Sequence, residues 1–162
     1  MTSVFRFSFY ETLSTILAAM ALLMVFVAQY GFHLRPCPLC LYQRLPYFGL
    51  LVVGLGAVFL VKWQSQKMGF ILVALWAMSL ILSGYHAGVE AELWSFPACA
   101  SSSQGAGSIE ELEAMIRQAT VTPCDQPAFL WLGLSMADMN MALSGIMFVW
   151  GFGVIRKTRN TS

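Results

Sequence analysis

Four long apolar stretches, separated by segments of very different length, dominate the pattern of this chain. They cover about residues 12–30, 46–61, 68–85 and 136–155, and none of them contains a lysine or an arginine. Each stretch is 16 to 20 residues long, close to the roughly 20 residues with which a helix crosses the hydrocarbon core of a bilayer. Backbone amides in that environment must be satisfied within the segment, so the pattern predicts four transmembrane α-helices.

Composition supports the same interpretation. Hydrophobic residues make up 58% of the chain and charged residues only 10%, whereas soluble domains carry about 25% charged residues. The 162 residues hold four spans and their loops but leave no room for a second soluble domain. We therefore predict one all-α integral membrane domain over residues 1–162, a four-transmembrane-helix bundle. We expect a lipid bilayer around it and no nucleic-acid partner.

The distribution of lysine and arginine predicts the orientation of the bundle. With a cytoplasmic N-terminus, the inner segments hold six of these residues and the outer segments three. Since Lys and Arg accumulate on the cytoplasmic side, both termini are predicted inside, and loops 31–45 and 86–135 outside. A rival interpretation is that the first stretch is a cleaved secretory signal. The stretch is longer than a typical signal core, and cleavage would leave three spans that contradict the charges at the C-terminus.

Local signals refine the last span and the second outer loop. Ser135 followed by Asp138 matches a capping box at the start of the fourth helix. Residues 108–119 begin with a similar box and place their apolar residues on one face, which predicts a short amphipathic helix. That helix either lies in the membrane interface or packs on the loop. The small polar residues of 100–107 are typical of a flexible linker.

Both predicted outer loops contain a pair of cysteines. Cys37 and Cys40 form a Cys-x-x-Cys motif in the first loop, and Cys99 and Cys124 lie 25 residues apart in the second. Attachment of haem would require a histidine after Cys40, where Leu41 stands. The wide spacing of the second pair disfavours a metal site, since structural zinc usually joins two Cys-x-x-Cys motifs. Three interpretations of the four cysteines stay open at this point: two structural disulfides, one zinc ion bound by four thiolates, or redox chemistry.

Two polar residues near the first pair favour redox chemistry. Cysteines two residues apart form a disulfide that is readily reduced, and a nearby cation lowers the thiol pKa towards the reactive thiolate. Arg44 is four residues after Cys40, on the same face if the second helix begins near that cysteine. His86 ends the third stretch on the same side. Both residues have ordinary interpretations, as an interfacial arginine and a helix-boundary histidine. Alternatively, they flank a pocket for a lipid-soluble electron acceptor.

The order of these elements resembles the disulfide bond formation protein B (DsbB) family over nearly the whole chain. The segments that carry the resemblance are Cys37-Pro38-Leu39-Cys40-Leu41-Tyr42-Gln43-Arg44, Tyr85-His86, Phe96-Pro97-Ala98-Cys99, Cys124 and Leu132-Gly133-Leu134-Ser135-Met136. The resemblance implies a bacterial inner-membrane enzyme with periplasmic cysteine loops. It would reoxidise a periplasmic thioredoxin-like dithiol oxidase of the DsbA type and pass two electrons to ubiquinone or menaquinone.

The resemblance also implies roles for the cysteines. Cys99 would form the mixed disulfide with the partner, and Cys124 would be its mate in the loop disulfide. Electrons would then pass to Cys37 and Cys40, with Cys40 next to the quinone as a thiolate.

The resemblance further implies a quinone-binding role for Arg44 and His86, with no metal. The loop between the second cysteine pair offers no recognisable partner motif, so a dedicated partner stays possible. The competing function is that of a non-enzymatic membrane protein with structural disulfides or a four-cysteine zinc site in its outer loops.

Overall fold

The structure is a computed structural model that describes residues 2–59, 66–94, 108–109, 124, 130–131 and 133–159. Its long helices are α1 (Thr2–Phe26), α3 (Arg44–Phe59), α4 (Gln66–Glu90) and α5 (Met136–Arg159). A π-helical turn (Val27–Gly31) follows α1, and a five-residue helix α2 (Pro38–Tyr42) precedes α3. Two short strands, β1 (Leu130–Trp131) and β2 (Leu134–Ser135), pair antiparallel just before α5.

Four helices are long and apolar enough to cross a membrane, which confirms the predicted four-helix membrane bundle. By length and composition, the candidate spans are Ser8–Gly31, Pro38–Gly56, Lys67–Glu90 and Met136–Lys157.

Helical structure extends beyond two of the predicted apolar stretches. Ahead of the second stretch, α2 begins at Pro38 and α3 at Arg44, and Pro38 and Pro46 stand in the first turns of these helices, where a missing amide costs no helical hydrogen bond. The third helix continues past residue 85 to Glu90. His86 therefore lies within a helix and does not end one.

Helix α1 packs mainly on α3, and α4 packs mainly on α5 and also on α3. Large apolar side chains such as Val52 and Ile81 are about 70% exposed on the outside, as expected for a surface that faces lipid. The buried core is formed by Tyr10, Leu50, Leu72 and Trp76, among others.

Small residues allow the helices to approach each other closely, as they do in many membrane bundles. A Cβ atom on Gly54 of α3 would lie 1.9 Å from Thr15 Oγ1 of α1. A Cβ on Gly151 of α5 would lie 2.3 Å from the Tyr10 hydroxyl oxygen. An alanine at either position would force the Thr15 or Tyr10 side chain to shift.

Polar side chains connect the helices inside the bundle. Ser79 of α4 and Ser144 of α5 lie with their hydroxyl oxygens 2.8 Å apart. The Tyr47 hydroxyl of α3 donates to Asn140 Oδ1 of α5. Because lipid offers no competing hydrogen-bond partner, these contacts help to set which helix faces meet.

The predicted capping box at the start of α5 is confirmed. The Ser135 backbone N–H donates to Asp138 Oδ2 at 3.1 Å, and the Asp138 N–H donates to Ser135 Oγ at 3.1 Å. The predicted helix 108–119 lies outside the described residues except for Ser108 and Ile109, and the predicted linker 100–107 lies outside them altogether.

Candidate active site

Cys37 and Cys40 lie at the start of α2, and neither is in a disulfide. Cys37 is the N-cap residue, and its sulfur accepts a hydrogen bond from the Cys40 backbone N–H at 3.2 Å. The Cys37 thiol in turn donates to Cys40 Sγ, with the sulfurs 2.7 Å apart. This hydrogen bond, together with burial, raises the pKa of the Cys37 thiol above its usual range. The proton of the pair therefore stays on Cys37, and the Cys40 sulfur is the acceptor.

His86 of α4 lies against this pair. Its side chain is buried, and its Nε2 atom is 3.6 Å from Cys37 Sγ. The other ring nitrogen, Nδ1, is 3.1 Å from the Gln43 side-chain nitrogen, which also donates to the Leu82 carbonyl oxygen. An amide nitrogen can only donate, so Nδ1 accepts, and the proton of the neutral ring is assigned to Nε2. The protonated edge of the ring thus faces the cysteine pair.

Glu90 extends the cluster by one helical turn. Its Oε1 atom is 3.7 Å from His86 Nε2, and its side chain is 13% exposed. The residue belongs to the part of α4 that the sequence analysis left outside the third span. The sequence does indicate that Glu90 lies near His86, because a spacing of four residues places both on one helix face.

Arg44 begins α3 and points towards the end of α1. Its Nη1 atom donates to Gln29 Oε1 at 2.6 Å, and its guanidinium carbon lies 5.5 Å from the centre of the Phe26 ring. The Nε atom is buried and has no hydrogen-bond partner among the residues that the structure describes.

Gln29 was not predicted from the sequence as a residue of this site. It lies in the π-helical turn after α1, and such turns are common at functional sites. Neither hydropathy nor a capping motif indicates this turn.

Cys124, from the second predicted loop, lies next to the cysteine pair of the first loop. It is almost completely buried, is disulfide-bonded, and packs in one apolar cluster with Cys37, Leu39 and Val89. Cys99, the predicted mate of Cys124, lies outside the described residues. Because Cys124 is already disulfide-bonded, a zinc site of four thiolates is not formed here.

Comparison with known proteins agrees with this geometry. The family model described as disulfide bond formation protein DsbB matches residues 8–154. The chain belongs to the DsbB family. It is therefore a disulfide oxidoreductase that acts in disulfide bond formation, and a multi-pass protein of the bacterial inner membrane. The DsbB family is in general linked to quinones.

Individual relatives are moderately similar. The chain is 33% identical over 148 residues to the uncharacterized protein RP370 of Rickettsia prowazekii, which covers 87% of this chain and 85% of that protein. It is 30% identical to disulfide bond formation protein B of Psychrobacter sp., over 77% of this chain and 76% of the relative. The same-named protein of Mannheimia succiniciproducens is 37% identical over 40% of this chain and 42% of its own length. No solved structure matches the chain.

Proposed function

We propose that this DsbB-family protein reoxidises a periplasmic thioredoxin-like dithiol oxidase of the DsbA type and passes the two electrons to a membrane quinone. The observation that carries the proposal is the packing of the disulfide-bonded Cys124 in one buried cluster with the free Cys37. An oxidised and a reduced pair in contact are the two partners that thiol–disulfide exchange requires. A protein stapled only for stability has no need to bring them together.

The exchange with the soluble partner takes place at the second pair. A thiolate of the reduced partner attacks Cys99 in the Cys99–Cys124 disulfide, and Cys124 leaves as a thiolate. The second thiol of the partner then displaces Cys99 and forms the partner's disulfide. The net result is that two electrons move to the loop cysteines, while the partner loses two electrons and two protons.

The loop cysteines next reduce the Cys37–Cys40 disulfide. Cys124 lies in the same buried cluster as Cys37, which favours this second exchange. Its product is the dithiol found in the structure, in which Cys37 donates a hydrogen bond to Cys40. Cys40 is then the sulfur that carries negative charge, and the hydrogen bond from the Cys37 thiol stabilises it.

The residues around Arg44 fit a quinone ring. The Nε donor of Arg44 is buried and has no partner among the described residues, and a carbonyl oxygen would supply one. Phe26 provides an aromatic surface beside the same guanidinium, and Gln29 holds the guanidinium in place. When bound there, ubiquinone or menaquinone supplies the two-electron acceptor of the reaction. His86 lies on the cysteine side of this site, and the contact with Gln43 fixes the orientation of its imidazole ring.

The proposed topology has both termini in the cytoplasm and the cysteines in the periplasm. The start of α4 and the end of α5 carry exposed basic residues: Lys67, Arg156, Lys157 and Arg159. The cysteine pair lies at the start of the antiparallel span Pro38–Gly56, at the opposite end of the bundle. The positive-inside rule then assigns the basic end to the cytoplasm.

Quinone reduction by the purified protein tests the proposed function. The protein in detergent would receive a reduced DsbA-type donor and a soluble quinone, and absorbance would report the quinone. We expect turnover by the native chain and none by folded Cys40→Ser or Cys99→Ser variants. Absence of turnover with both quinone classes from folded native protein would refute the proposal in favour of structural disulfides.

A further inference from the structure

We propose that the reduced Cys37–Cys40 pair and His86 form a binding site for a thiophilic, tetrahedral divalent cation such as Zn²⁺. Their ligand atoms, two sulfurs and one imidazole nitrogen, all lie within 4.8 Å of one another. These are the atoms that zinc prefers in proteins. The site differs from a four-cysteine zinc site, because Cys124 is disulfide-bonded and provides no thiolate.

The distances are close to those of a coordinated metal. Zinc bonds of about 2.3 Å to sulfur and about 2.0 Å to nitrogen, at tetrahedral angles, place the two ligand atoms about 3.5 Å apart. The observed distance between Cys37 Sγ and His86 Nε2 is 3.6 Å. The sulfurs, now 2.7 Å apart, would have to separate by about 1 Å to bind the same ion. A small rotation of the half-buried Cys40 side chain provides this movement.

The surroundings complete the site. Glu90 Oε1 is 3.7 Å from the same His86 nitrogen, so its carboxylate is the nearest candidate for a fourth ligand. A metal on Nε2 leaves the proton on Nδ1, where Gln43 lies at 3.1 Å. Rotation of the Gln43 amide would present its oxygen to that proton, as groups behind metal-binding histidines commonly do. Burial of Cys37 and His86 keeps water from competing for the ion.

Metal binding is linked to the redox state of the pair. Binding displaces the proton of the Cys37 thiol and takes Cys40 as the thiolate, with no change of oxidation state. Oxidation of Cys37 and Cys40 to a disulfide removes two electrons and both thiolate ligands, so only the reduced pair binds. A bound ion therefore holds the pair reduced and stops electron transfer. This inhibition rests on the proposed function, whereas the binding itself does not.

Cobalt binding tests the site without any turnover. Full-length protein in detergent, with Cys37 and Cys40 reduced by a phosphine, would be titrated with Co²⁺ alone under anaerobic conditions. We expect the charge-transfer and visible bands of a tetrahedral cobalt–thiolate centre, displaced by equimolar Zn²⁺ and abolished when the pair is oxidised. Reduced, folded protein without these bands would overturn the proposal.

Matched variants assign the ligands. Cys40→Ser should abolish the bands, and His86→Gln should weaken Co²⁺ binding by at least about tenfold. The other histidine offers a control, since His33 is exposed and His33→Gln should leave the affinity unchanged. A Cys99→Ser/Cys124→Ser double variant should still bind. Loss of binding in the double variant, or an unchanged affinity in folded His86→Gln, would contradict the proposed ligands.

The two proposals fail independently. Zn²⁺ should inhibit quinone reduction by the native protein, and a chelator should restore it. Cobalt bands without turnover would support the metal site and refute the proposed function. Turnover that is insensitive to Zn²⁺, from protein that lacks the cobalt bands, would support the proposed function and refute the metal site.

Discussion

Replacing Arg44 should separate the quinone half of the reaction from the thiol half. In Arg44→Lys the positive charge remains, but the fixed pair of donors, Nη1 towards Gln29 and the unpartnered Nε, is lost. In Arg44→Ala the charge is lost as well. Both changes affect the group that we assign to the quinone and leave Cys99 and Cys124 unaltered.

The magnitude follows from the bonds that are removed. One hydrogen bond from a charged donor to a carbonyl oxygen contributes about 1.5–3 kcal/mol, and every 1.4 kcal/mol changes an equilibrium constant about tenfold. Arg44→Lys should therefore raise the KM for quinone about tenfold to a hundredfold. Arg44→Ala should raise it further, because the contact between guanidinium and Phe26 is also lost.

Two assays distinguish the halves. Steady-state quinone reduction gives the KM for quinone. Stoichiometric oxidation of the reduced partner by the oxidised protein, without quinone, reports thiol exchange alone. The rate of this oxidation should change by less than about threefold, because substitutions at independent sites have little effect on each other. Arg35→Ala, which removes an exposed arginine of the same loop, is the control. An equal loss in both assays, or an unchanged KM for quinone, would refute the assigned role of Arg44.

Three further predictions concern packing and local hydrogen bonds. Gly54→Ala should lower the free energy of unfolding in detergent by about 1–3 kcal/mol because of the contact with Thr15 Oγ1. The control Gly56→Ala should leave this free energy unchanged, since a Cβ atom there meets nothing within 4 Å. Equal losses in both variants would contradict the role of the close contact at Gly54. Ser135→Ala should lower the melting temperature, because it removes an N-cap that contributes about 1 kcal/mol to the free energy of unfolding. Ser135→Thr should keep both the cap and the melting temperature. Gln43→Leu should remove the hydrogen bond to the His86 ring and destabilise the fold by about 1–3 kcal/mol; unchanged ring ¹⁵N chemical shifts in NMR spectra would contradict the assigned tautomer.

The segments that enter the membrane could be predicted from the amino-acid sequence alone. Burial in lipid depends on the polarity of consecutive residues, and helix starts depend on side chains a few positions apart. The four spans and the Ser135–Asp138 capping box could therefore be predicted. The same local information misplaced the end of the third helix. Hydropathy reports where apolar residues stop, but a helix backbone continues to Glu90 as long as nothing interrupts its hydrogen bonds.

The contacts between distant side chains depend on how the helices pack against one another. Cys37 and His86 are 49 residues apart in sequence, and Gln43 and His86 are 43 apart, yet both pairs are in contact. Nothing in the local pattern of either segment specifies the partner helix. That choice depends on close approaches such as Gly54 on Thr15, and on polar contacts inside the bundle. The sequence could therefore predict the cysteines as reactive groups, but the imidazole, amide and carboxylate that surround them required the packed helices, because helix pairing is a long-range property of the whole bundle.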